Sequence, residues 1–216
     1  MTIHTDSYSS VYDKLPPVGK HLIAHQQSDQ LVVYQAYKPA IADFAVRNQF
    51  LGGDAFSYDR MSWIKPGFLW MMYRSGWAAK EHQERILALW IRKDHFLTLL
   101  AEAVPTTFRP WQYDSHEAWQ QDMRTRKVRV QWDPDHDPSG HKLERRTIQL
   151  GLSGNALAAF GKNYIEKIED ITTFVHEQRA LLKQKGAEAL QIPVETVWML
   201  EDAQLKFRLG MQKQEA

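Results

Sequence analysis

From Arg60 to Trp77 the chain reads Arg-Met-Ser-Trp-Ile-Lys-Pro-Gly-Phe-Leu-Trp-Met-Met-Tyr-Arg-Ser-Gly-Trp, and no acid occurs in that run. Trp63, Trp70 and Trp77 fall seven residues apart, Phe68 and Tyr73 lie among them, and Arg60, Lys65 and Arg74 supply the charge. Aromatic faces give a ring something to stack on, and fixed cations attract phosphate or carboxylate. Together they suit a ligand that is both planar and anionic, such as a nucleotide. The competing reading is a core segment whose cations reach the surface along their aliphatic stems. For Arg74 the alternative is an ion pair with Glu81 or Glu84.

Three glutamines extend the candidate set. Gln35 sits between Tyr34 and Ala36 in an apolar run, while Gln131 and Gln149 alternate with aliphatic residues in theirs. A polar side chain buried without a partner costs several kcal/mol, so these positions mark either a polar cleft or a solvated face.

Other chemistries find less support. Ser62, Ser75 and Ser153 lack the Gly-x-Ser-x-Gly elbow of a serine nucleophile. No Gly-x-x-x-x-Gly-Lys occurs, and no Gly-x-Gly-x-x-Gly follows a strand, which removes most ATPase and classical dehydrogenase readings. Asp133, Asp135 and Asp137 match the first ligand positions of a calcium loop, and Glu144 its closing carboxylate. Pro138, however, stands where that loop turns on glycine, and the flanks read as strands. His136 and His141 match no metal-ligand spacing. No metal is expected.

These residues need elements to hold them. Leu31–Tyr37 reads as a buried strand, and Pro39 opens a helix that Gly52-Gly53 closes. Pro66 opens a short helix ended by Gly76, and it keeps Lys65 and Trp63 on an extended lead-in. Within the run, Trp70 and Trp77 are therefore expected in the core, with Trp63 and the cations toward a ligand. Glu84–Ile91 reads as a strand, Asp94 as the cap of a helix through Val104, Pro105–Pro110 as a loop, and Ser115 as the cap of a helix to Arg124. Lys127–Asp133 and Arg146–Leu152 alternate as strands, joined by a long-looped hairpin over Pro134–Lys142. From Asn155 the pattern is mostly helical, with Ile165, Ile168, Phe174 and Val175 as core candidates and Thr172 capping a fresh helix.

The expected class is α+β: a single domain with a small, largely antiparallel β core, flanking helices and a helical C-terminal third. Residues 1–30 are read as an N-terminal arm, 31–210 as the globular domain and 211–216 as a frayed tail. Hydrophobic content of 44% and charged content of 25% are ordinary for a soluble protein. A net charge of +1 argues against coating nucleic acid by bulk electrostatics. No cysteine is present, which fits a reducing cytoplasm. The polar N-terminus and the charges interrupting every apolar run predict neither a secretory signal nor a membrane span. Nothing in the chain signals an oligomeric state.

The runs Tyr34–Pro39, Arg60–Trp77, Gln83–Arg85, Val130–Pro134 and Ile148–Leu152 resemble the family catalogued as domain of unknown function 4291. They span most of residues 31–180, and that family brings no established activity. A second resemblance, in the order of elements, is to ADP-ribosyltransferase-like folds. There a first-strand His or Arg, a middle Tyr or Ser and a late Glu or Gln grip NAD. The resemblance implies Tyr34–Gln35, Ser62 and Gln149 in those places. The chain departs from the pattern in having no basic residue at the centre of the first strand and no late Glu-x-Glu, whose carboxylate normally steadies an oxocarbenium-like ribose.

Three functions follow as expectations. The first is an NAD- or nucleotide-using transferase, with Gln35, Ser62 and Gln149 catalytic. Trp63 and Tyr73 would stack on a ring, Arg60, Lys65 and Arg74 would hold pyrophosphate, and Tyr34 and Gln131 would complete the NAD contacts. The second is a single-stranded nucleic-acid-binding module whose tryptophans stack on bases. The third is a non-enzymatic interaction protein with a Trp-rich core.

Overall fold

A computed structural model describes residues 2–211. In chain order the elements are β1 (Thr5–Ser7), α1 (Tyr8–Tyr12), β2 (Ile23–Ala24), β3 (Gln26–Gln27), β4 (Gln30–Tyr37), α2 (Pro39–Asn48), β5 (Ser62–Ile64) and α3 (Phe68–Ser75). There follow β6 (Arg85–Arg92), α4 (Lys93–Ala101), β7 (Ala103–Pro105), α5 (His116–Thr125), β8 (Val128–His136) and β9 (Lys142–Leu152). Last come α6 (Gly154–Ala159), a π-helical turn (Phe160–Tyr164), β10 (Ile165–Asp170), α7 (Thr172–Lys185), β11 (Gln191–Pro193), β12 (Thr196–Val197) and α8 (Ala203–Leu209). The protein is α+β and forms a single domain.

Two four-stranded sheets carry the architecture, in the orders β10-β6-β4-β3 and β5-β9-β8-β7, and only the β7–β8 pairing is parallel. β4 and β6 are central and buried on both faces, which is why Leu31–Gln35 and Ile86–Ile91 read as continuous apolar runs. One face of β4, with Leu31 and Val33, packs into a core shared with Val128, Val130, Trp132, Ile148, Leu150 and Leu152 of the second sheet. Its other face, with Val32 and Tyr34, packs under Phe68, Met71 and Met72 of α3 and Val175 of α7. The sheets are joined where Tyr34 N donates to Lys65 O at 2.6 Å. α3 lies over that junction, and its ends follow the punctuation: Gly67 precedes it, and Gly76 closes it with a left-handed φ of 60°.

Several boundaries differ from the sequence reading. The helix after Asp94 stops at Ala101, because Ala103–Pro105 leaves to pair with β8. Asp94 lies in its first turn, and Arg92 takes the cap position. The β8–β9 strands run on to His136 and from Lys142, which shortens the hairpin loop to residues 137–141. A register shift between Pro134 and His136 accommodates the proline within the strand. β10 interrupts the helical C-terminal third. A shift in its pairing with β6, between Ile165 and Lys167, lets Ile165 and Ile168, three apart in sequence as on a helix, face the same core.

The first thirty residues supply Ile3, Val11, Leu22, Ile23 and Ala24 to the core, and β1 and β2 pair with β11 and β12. The tail expected at 211–216 lies, beyond Met211, outside the described residues.

Candidate functional site

The polar face of the second sheet floors a cleft of about 620 Å³. Strand alternation decides what that face carries. With the aliphatic residues of β8 and β9 turned into the core, Gln131, Asp133, Thr147 and Gln149 turn the other way. The register sets Gln131 opposite Gln149, and Asp133 opposite Thr147. Gln131 Nε2 donates to Asp133 Oδ1 at 3.0 Å and Gln149 Nε2 donates to Oδ2 at 2.6 Å, so two amides hold one carboxylate. Burial pushes that carboxyl above the usual range, opposed by the Gln131 hydrogen bond and the charge of Lys65.

The end of β4 forms the back of the cleft. Gln35 Nε2 donates to Ser62 Oγ at 2.7 Å and to Trp63 O at 3.3 Å, and the Tyr37 hydroxyl donates to Gln35 Oε1 at 2.6 Å. This network stitches β4 to β5. The Ser62 hydroxyl lies 3.5 Å from that of Tyr37, whose own ionisation burial makes harder. Among the described residues no imidazole or carboxylate hydrogen-bonds Ser62, so no base stands ready to take its proton.

β5 and α3 supply the walls. Trp63 lies across Gly151, its partner on β9; a Cβ there would meet Trp63 Cζ2 at 2.9 Å and Met61 Sδ at 2.8 Å. Only a glycine lets the indole approach the strand this closely. Pro66 ends the strand just after Lys65, whose side chain is 4% exposed, with Nζ 4.3 Å above the Trp70 ring. Burial lowers Lys65 to about 7, the nearby Arg74 charge adds to this, and Asp133 opposes it. Arg60 and Arg74 stand exposed at the mouth beside His82. Among the described residues Arg74 makes no ion pair with Glu81 or Glu84, and no acidic side chain lines the cleft surface.

Eight of the expected residues meet here: Gln35, Arg60, Ser62, Trp63, Lys65, Arg74, Gln131 and Gln149. Two do not, which corrects the expectation for both. Tyr34 alternates with Gln35 through the sheet and lies fully buried against Phe68 in the other core, ring centroids 5.6 Å apart. Tyr73 turns outward from α3, 43% exposed, and stacks on His136 at 3.7 Å. The cleft is lined as well by Trp70, buried at 7% exposure as the helical spacing expected, and by Tyr37. Asp133, read as the end of a strand and as a would-be calcium ligand, was not among the expected site residues. The signal that could have found it is Gln131-x-Asp133 on one strand face, opposite the Gln149 strand.

The three acids of the would-be calcium loop separate. Asp135 accepts from Arg145 Nε at 2.7 Å in a buried pair, Asp137 accepts from His141 N at 2.8 Å, and Asp133 is held by Gln131 and Gln149 of the cleft floor. Among the described residues no group of three or more His, Asp or Glu side chains is placed to hold a metal ion.

The family model described as Domain of unknown function (DUF4291) matches residues 21–198, a span containing every residue of the cleft. No curated protein matches the chain.

Proposed function

Because the chain belongs to the DUF4291 family, whose description carries no activity, we propose its function from the chemistry of the cleft: it binds a nucleotide-class ligand, NAD foremost, as an ADP-ribosyltransferase-like enzyme. One observation carries the reading. Three cations, two indoles, four glutamine amides and a serine hydroxyl, from distant parts of the chain, line a single cleft. Its volume of about 620 Å³ falls among ordinary small-molecule sites, roughly 300–1,000 Å³.

The exposed guanidinium groups of Arg60 and Arg74 suit the phosphates, through charge-assisted hydrogen bonds. Trp63, flat over Gly151, offers a stacking face for a base or nicotinamide ring. Gln35, Gln131 and Gln149 match ribose hydroxyls. Asp133 supplies the negative charge that a ribose losing its base requires, which the expected late residue, Gln149, does not carry itself.

Calorimetry and thermal shift with millimolar NAD, ADP-ribose and mononucleotides test the proposal. Heat and a raised melting temperature are expected with NAD, and Arg74→Ala weakens its binding by roughly tenfold or more with little change in stability. No heat and no shift with any of these compounds overturns it. Binding to single strands that falls steeply with salt would replace it with nucleic-acid recognition.

A further inference from the structure

A buried ammonium without a carboxylate partner is costly, and proteins that keep a desolvated lysine often use it as an amine. Lys65 is such a group. It is 4% exposed, lines the cleft and, among the described residues, has no acid within salt-bridge distance. Trp70 lies beneath its Nζ, Arg74 crowds it with like charge, and the field of Asp133 reaches it from the floor. A second observation points to a ligand at the same end. Trp70 Nε1 and Thr147 Oγ1 are buried and have no hydrogen-bond partner among the described residues. A side chain on Gly67, between them, would come within 3.3 Å of Thr147 Oγ1 and 3.7 Å of Trp70 Cβ. Buried polar atoms are rarely left unsatisfied, so the unpaired indole N–H of the ring beneath this amine marks where an acceptor oxygen belongs.

We infer that Lys65 is a nucleophilic amine that forms an imine with a small, flat aldehyde or ketone bearing phosphate or carboxylate. The inference shares with the proposed function the cleft and its preference for planar anions, and departs from it in the chemistry. The Nζ lone pair attacks the carbonyl carbon, and the π pair moves to oxygen. The proton lost by nitrogen passes to that oxygen. The resulting hydroxyl takes one further proton and leaves as water while the nitrogen pair closes the C=N bond, and the imine nitrogen returns a proton. Amine and carbonyl thus give imine and one water, with no oxidant or reductant. Water carries the protons between nitrogen and oxygen, and Asp133, held by Gln131 and Gln149, acts on the amine through its charge. Trp70 N–H is the unused donor for the oxygen, and Arg60 and Arg74 hold the anionic group.

Pyridoxal 5′-phosphate, a planar aldehyde with a phosphate, is the probe. The whole protein is incubated with it, reduced with borohydride to fix any imine, and mapped by peptide mass spectrometry. One adduct is expected on Lys65 before exposed lysines such as Lys80 and Lys127 react, and pyridoxal without its phosphate labels at least roughly tenfold more slowly. The corresponding peptide of Lys65→Arg and Lys65→Met stays unmodified. Label on exposed lysines with Lys65 untouched overturns the inference, and the map of the wild-type protein is decisive even if both variants misfold. Calorimetry with NAD on the same protein separates the two ideas. Heat without labelling of Lys65 removes only the imine, and labelling without heat removes only the nucleotide.

Discussion

The charge on Lys65 is the adjustable quantity in this cleft. Burial, then Arg74, bring it to about 7, against an ordinary lysine near about 10.4. Arg60, Arg74, His82 and Asp133 are the other charged or titratable groups around it. An anionic ligand favours the ammonium form, so affinity for NAD or a phosphate is highest below pH 7. It falls as pH rises through about 7, to the level the arginines sustain. Above pH 7 binding takes up a proton. Calorimetry at pH 8 in two buffers of different ionisation enthalpy should give different heats, which converge at pH 6 and show no difference in Lys65→Met. Equal heats at pH 8 in the wild-type protein would show that the amine stays charged. The sign for stability is opposite to that for binding. Between about 7 and the ordinary lysine value the unfolded chain holds the proton and the folded one does not, so this residue favours folding more as pH rises. Lys65 was legible as a candidate because cations and rings crowd Arg60–Trp77; its burial was not, since that depends on α3 closing over it. The same limit explains Tyr34 and Tyr73. Neighbours on a strand buried on both faces look equivalent in sequence, and only the packing of α3 decides which of Trp70 and Tyr73 turns inward.

At the scale of elements α3 matters most, because it holds Trp70 and Arg74 against the floor. Its N-terminus has no side-chain cap of its own; Phe68 N donates instead to Oε1 of Glu195, at 2.7 Å. Glu195 is buried, and burial raises it well above the usual carboxylate range despite the Phe68 bond. The folded state therefore keeps a proton that the unfolded state gives up. Its contribution is fully present below the unfolded carboxyl range and is lost as pH climbs toward the folded value. Glu195→Gln retains an acceptor for Phe68 and should flatten that decline, melting no lower than wild type at pH 8. Glu195→Ala strands the amide and should lose about 1–3 kcal/mol. A glutamine variant with the wild-type pH slope would show that Glu195 does not titrate in this way. Pro39, Pro66, Gly76 and Ser115 made the start of α2, both ends of α3 and the start of α5 readable, since each acts within one turn of chain. β7 and β10 escaped because their strand character comes from partners, β8 and β6, that no local pattern announces.

For the whole molecule, a net charge of +1 conceals a cleft lined by Arg60, Lys65 and Arg74 and by no acid. The class and the main strands were visible in the chain; the sharing of strands between two sheets was not. The backbone bond between the two sheets is the one where Tyr34 N meets Lys65 O at 2.6 Å, beside the Gln35 side-chain bonds to Ser62 and Trp63. Lys65 is therefore a rivet as well as a reagent: its backbone clamps one sheet to the other while its side chain reaches the cleft. Anything that seizes the amine restrains the joint. In protein reduced with pyridoxal phosphate, the Tyr34 amide should exchange its hydrogen more slowly than in free protein, and an unchanged rate would show that the joint is rigid already. Occupancy of the cleft would then be recorded by a backbone proton of a residue whose own side chain is sealed in the opposite core.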